Sequence, residues 1–139
     1  MNLFAEIRTL VVDTLAQMAA EGSLPAGLDL SAVAVEPPRD PAHGDMATNA
    51  AMVLAKPAGM QPRAIADALA AHLAKDARIT LAEVAGPGFL NLRLATSLWQ
   101  RVVKDALQAG QSYGKSALGQ GQRVNVEFVS ANPTGPMHV

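Results

Sequence analysis

"ITLAEVAGPGFLNLRLA", residues 79–95, is the stretch whose reading decides the fold. Two apolar-rich runs flank Gly86-Pro87-Gly88, a combination that turns a chain back on itself, so the stretch reads as a β-hairpin. Side chains alternate faces along a strand. In "FLNLRL", residues 89–94, Leu90, Leu92 and Leu94 share one face and are expected in the core. Phe89, Asn91 and Arg93 share the other. An exposed aromatic ring can stack on an unpaired base, a neighbouring amide can bond the base edge, and a cation can meet phosphate. The same residues also have a structural reading, with Phe89 packed under a helix and Arg93 on a solvated face; single aromatics on strands more often serve that way. Spacing alone leaves both open.

Helices are expected on either side of this hairpin. Leu3, Phe4, Ile7, Leu10, Val11, Leu15 and Met18 recur at helical spacing, with Asn2 placed to cap the start and Gly22 to end the helix. "SAVAVEPP" reads as a short strand stopped by Pro37-Pro38. After the turn-rich "RDPAHGD", Asp45 is a candidate N-cap for a helix over "MATNAAMVLAK" that Pro57 stops. Pro62 suits the first position of the next helix, which buries Ile65, Ala66, Leu69 and Leu73. Thr96 is expected to cap a last helix with Leu98, Trp99, Val102, Val103, Ala106 and Leu107 on its apolar face, ended by Gly110. Hairpin signals outnumber crossover units, so the expected class is α+β, an antiparallel sheet flanked by helices, over residues 1–110. "GQSYGKSALGQGQ" has linker composition, which makes 111–122 the domain boundary. A strand, "RVNVEFV", follows at 123–129.

Composition narrows the function. The 139 residues are half hydrophobic, enough for a core. With 11 basic and 12 acidic residues the net charge is −1, so any RNA binding rests on a local patch and is weak and salt-sensitive in isolation. There are no cysteines, which excludes disulfides and thiolate zinc sites and fits a reducing compartment. His43, His72 and His138 lack metal-ligand spacing, so no metal site is expected. The N-terminal stretch carries Glu6, Arg8 and Asp13 within its apolar pattern and reads as an amphipathic helix, not a signal peptide, and no run is long enough to span a membrane.

The tail, "VEFVSANPTGPMHV" at 126–139, carries a second cluster of chemistry. A carboxylate near the end of an apolar strand is costly if buried alone, and open α/β sheets bind ligands at strand carboxyl ends. Glu127 is therefore a candidate to hold a cationic ligand, against the alternative of an exposed edge-strand glutamate. The Asn132-Pro133 and Thr134-Gly135-Pro136 turns would hand the chain over to a helix at His138, where free N–H groups and an imidazole could meet phosphate.

This tail closely resembles the start of the catalytic domain of arginyl-tRNA synthetases, which are class I enzymes. Their signature is His-x-Gly-His, and His138-Val139 resembles its first half. "PPRDPAHGDMATNAAMVLAK", "AGPGFLNLRL" and "YGKSALGQGQRVNVEF" resemble the family's N-terminal additional domain and its junction. The resemblance implies that 123–139 opens a truncated Rossmann-like catalytic domain and that the chain is an N-terminal fragment, inactive alone. It implies a parent that activates arginine with ATP and Mg2+ and passes it to tRNA(Arg). In that parent, Glu127, Ser130 and Asn132 would line the arginine site, and His138 with Pro136 the ATP site. Phe89 and Asn91 would contact an unpaired base at the tRNA D-loop; Arg93, and more weakly Asn49 and Lys56, would assist. It further implies a cytoplasmic, monomeric parent with no membrane partner. A strand at 123–129 without its sheet seeks an edge, so it is expected to be disordered, folded back on its own domain or paired with another copy. The alternative reading is a stand-alone, non-catalytic RNA-binding or interaction module.

Overall fold

The computed structural model describes residues 2–38, 40–117 and 119–127. Helix α1 spans Leu3–Ala20, started by the Asn2 side chain, which accepts from the Ala5 N–H. Strand β1 is only Val35–Glu36, and a 3-10 turn follows at Pro41–His43. Strand β2 is Met46–Thr48, helix α2 Ala50–Ala58 and helix α3 Pro62–Leu73. The hairpin is β3, Ile79–Ala85, and β4, Phe89–Leu94. Helix α4, Thr96–Ala109, comes last.

The four strands form one antiparallel sheet in the order β1-β2-β4-β3. The expected α+β class and the hairpin are both present. Leu90, Leu92, Leu94 and Met46 point to one face, where they join Ile7, Leu15, Met18, Leu54, Ile65, Leu69 and Leu73 in a single core. Helices α1, α2 and α3 supply that layer, each with its apolar stripe turned inward. Among the described residues no helix covers the opposite face, which is the open face below.

Several local expectations are corrected. Strand β2 lies where a helix was expected, and Asp45 is not a helix cap. Its N–H donates to the Leu92 carbonyl at 2.8 Å, and its carboxylate accepts from the Leu94 N–H at 2.7 Å, so it closes the seam between β2 and β4. Three residues are too few to show strand periodicity against the helical pattern that follows. Pro57 lies inside α2; the helix ends at Gly59, whose N–H reaches the Ala55 and Lys56 carbonyls. A proline in a last turn removes one donor without breaking the turns before it. Ala95, not Thr96, is the N-cap residue of α4, held by its N–H to the Arg78 carbonyl at 2.9 Å. Of the strand expected at 123–129, residues 123–127 take no regular structure and are exposed. A strand needs a neighbour to satisfy its backbone groups, and 123–127 pair with no strand among the described residues. Residues 128 and 129 lie outside the described residues.

Two glycines set how closely the parts approach. Gly44 has φ +131°, and a Cβ there would stand 2.7 Å from the Leu92 carbonyl oxygen. Gly88, at the hairpin turn with φ +147°, would place a Cβ 2.8 Å from the Pro62 Cβ at the head of α3. Polar contacts tie the remaining pieces. Glu6 of α1 takes hydrogen bonds or ion pairs from Arg101 of α4 and, at 3.7 Å, Arg78. Arg78 also binds Asp76 through two bonds of 2.9 and 2.8 Å, and these hold the Asp76 carboxyl at about 2. His72 on α3 has Nδ1 2.9 Å from the Ala68 carbonyl and Nε2 3.1 Å from the Glu21 carboxylate. Both partners are acceptors, so both ring nitrogens donate only in the protonated imidazole. The Ala68 carbonyl first, then Glu21, raises the His72 pKa above 6.5.

Two outcomes follow. Gly44→Ala is expected to lower stability by on the order of 2 kcal/mol in urea denaturation, because it adds a clash and a strained φ together. His72 binds its proton more tightly folded than unfolded, so its stabilisation is complete below pH 6.5 and is lost as pH rises through the raised folded value. Denaturation midpoints measured from pH 6 upward should fall in the wild type, and His72→Ala should lack that component of the slope.

Candidate nucleic-acid interface on the open sheet face

Strand register arranges the open face in rows. Glu36 of β1 pairs with Ala47 of β2, Ala47 with Asn91 of β4, and Asn91 with Glu83 of β3. These four side chains lie side by side across the whole sheet. One row toward the hairpin, Phe89 pairs with Ala85; one row the other way, Arg93 pairs with Leu81. A groove of about 470 Å³ runs over this surface, with Pro37, Pro38, His43, Ala47, Phe89 and Asn91 in its lining.

The two residues that the sequence singled out stand together in it. Phe89 is 45% exposed, too open for a side chain packed under a helix. Asn91 is two residues along, roughly 7 Å away on the same face. It is only 8% exposed, because neighbouring strands and the groove walls enclose it. Strand alternation assigned it a face but not this burial. Its side-chain amide makes no hydrogen bond to any described residue, yet it lines the groove. Its polar atoms are not among the sealed, partnerless ones of the described residues, so they open into the groove, where a ligand can reach them. A planar ligand edge could complete it.

The other candidates separate by role. Arg93 is exposed, and its guanidinium donates to the Ala42 carbonyl at 2.9 Å, bracing the 3-10 turn beside the groove. Asn49 lines the groove but is already engaged: its Oδ1 accepts from the Ala34 N–H at 2.8 Å and its amide donates to the Ala32 carbonyl at 3.3 Å. It holds β1 beside β2. Lys56 is exposed in the last turn of α2, a helix of the covered face. Sequence reasoning passed over His43, Glu36 and the Pro37-Pro38 wall, all of which reach the groove. The only available signal was their position in turn-rich segments flanking short strands. Glu83, paired with Asn91, and Glu36, two strands away in the same row, disfavour phosphate over this row and favour a neutral ligand with donors on its edge.

Glu127 is exposed in a segment without regular structure. Ser130, Asn132, Pro136 and His138 lie outside the described residues. Among the described residues no group of His, Asp and Glu is arranged to hold a metal ion, and no helix is long and apolar enough to cross a membrane.

Comparison with known proteins gives a consistent result. Residues 5–94 match the family model described as the arginyl tRNA synthetase N terminal domain. Over all 139 residues the chain is 76% identical to an arginine–tRNA ligase of Cereibacter sphaeroides, 73% to that of a Ruegeria species and 72% to that of Paracoccus denitrificans. It spans 24% of the length of each of these relatives.

The contrast between the two asparagines can be checked by stability alone. Asn49→Ala strands the Ala34 N–H and should cost about 1–3 kcal/mol in chemical denaturation. Asn91→Ala removes no hydrogen bond and should cost clearly less.

Proposed function

The chain belongs to the arginyl-tRNA synthetase N-terminal domain family, and from that premise we propose that it serves an arginine–tRNA ligase as the module that reads tRNA. One observation carries the reading: the unused Asn91 amide on the groove floor, one strand position-pair from the exposed Phe89 ring. An unpaired base at the D-loop corner of tRNA(Arg) would stack on Phe89 and place its edge against Asn91. Stacking tolerates any base, whereas the amide discriminates among edges, so Phe89 supplies affinity and Asn91 preference. The phosphates would pass away from Glu36 and Glu83, toward Arg93.

In the same reading, residues 1–110 form the tRNA-binding domain, 111–122 the linker and 123–139 the opening of the catalytic domain. The parent enzyme would join arginine to ATP, supplied with Mg2+, and transfer the arginyl group to tRNA(Arg) in the cytoplasm. Glu127 would hold the substrate guanidinium, a planar cation suited to a fixed carboxylate. Ser130 and Asn132 would line the arginine site, and Pro136 with His138 the ATP phosphates. Those steps would need the rest of the enzyme, so the chain alone would be inactive and the parent would act as a monomer.

Binding measured at low and moderate salt tests the proposal. Phe89→Ala is expected to weaken binding of tRNA(Arg) roughly tenfold. Adding Asn91→Ala should abolish the preference for tRNA(Arg) over an unrelated tRNA. Equal binding to all RNAs, lost at modest salt and indifferent to both substitutions, would overturn it.

A further inference from the structure

Helix α4 is apolar over more of its surface than its own fold uses. Leu98, Val102 and Ala106 form one row, and Trp99, Val103 and Leu107 form a second row beside it. At 3.6 residues per turn the two rows together cover about half the helix circumference. A helix packed on one core needs a stripe only about 100° wide. The first row faces the domain: Leu98 is buried and Val102 is half-buried. The second does not, since Trp99 is 39%, Val103 60% and Leu107 78% exposed. What fastens α4 to the domain includes the Arg101–Glu6 pair, which leaves this second row uncommitted. Beside it lies a half-open depression of about 610 Å³ whose lining includes Leu3, Phe4, Trp99, Val102 and Tyr113.

The position of this stripe identifies its partner. Of the eight large hydrophobic side chains exposed among the described residues, Leu81 and Phe89 lie on the open sheet face or its hairpin, and the other six lie beyond Ala95. The family match ends at Leu94, just before α4 begins. The match to whole ligases continues through α4 and beyond, although it covers only 24% of their length. The unburied apolar surface is therefore concentrated in the part that the N-terminal module does not include but the whole ligases do. We infer that Trp99, Val103 and Leu107 form an interface on which the remaining polypeptide of the ligase docks. The stripe fixes the angle between the tRNA-reading groove and the catalytic part. This inference rests on the ligase reading above for the identity of the partner, but not on the role of Phe89 or Asn91.

The test replaces the matching 24% of the Cereibacter sphaeroides ligase with this chain and compares hydroxyl-radical footprints of the chimera and the 139-residue chain. Oxidation of Trp99, Val103 and Leu107 is expected to fall severalfold in the chimera. Val103→Glu with Leu107→Glu, both at exposed positions, should restore the oxidation of Trp99 and open residues 110–122 to limited proteolysis. Equal oxidation of the stripe in both proteins would overturn the inference. So would protection in the 139-residue chain that disappears on dilution, since the occupant would then be a second copy. Arginylation by the chimera reports the ligase reading separately: an active chimera with an unprotected stripe sinks the interface and leaves that reading standing.

Discussion

Strand β4 has a partner on both sides only because the chain at Gly44-Asp45 can lie directly against it. The backbone of Gly44 fits over the Leu92 carbonyl where no Cβ could, and Asp45 then takes the Leu92 and Leu94 backbone groups in turn. Without that seam β2 would not register on β4, and β1, which pairs only with β2, would have no place. Asn91 would become an edge residue. The groove is thus a product of a tight approach between backbones more than of the side chains that line it. Asn49 and Thr48 extend the same logic outward by binding the backbone of residues 32–34 with their side chains.

That dependence explains what could and could not be read from the sequence. The hairpin was legible because alternation over six residues and a Gly-Pro-Gly turn agree with each other. Helices α1 and α3 were legible because their apolar residues recur over several turns. Strand β2 was not, because its three residues are defined by a partner distant in sequence. Asp45 illustrates the point: an acidic residue before an apolar run has the local signature of a cap, and only the position of Leu94 reveals its real partner. Phe89 and Asn91 were correctly assigned to one face. The enclosure of Asn91 depends on β2, β3 and the proline wall together, so no local pattern could announce it. At 123–127 the alternating pattern stands without a pairing, as expected of a strand whose sheet is missing.

Stability is shared unevenly among the parts. The sheet and the first three helices enclose one apolar core, whereas α4 adds one buried leucine and an ionic clasp. Glu6 lies at the centre of that clasp, and its carboxyl is held below the usual range chiefly by the Arg101 hydrogen bond. Partly exposed ion pairs of this kind contribute little individually. They place α4 in one orientation more than they add to the free energy of folding.

The approach of Gly88 to Pro62 has a mechanical consequence. The hairpin turn rests on Pro62 in the first turn of α3, and the turn itself contributes no side chain to the contact. Phe89 follows Gly88 directly, so a load on its ring passes through the turn into the helix that fills much of the core. The groove rim at that end is therefore stiff, and a ligand arriving there meets a surface that transmits force instead of yielding to it. Compliance is left to the opposite wall, where two residues of β1 and the prolines after them are the thinnest part of the sheet.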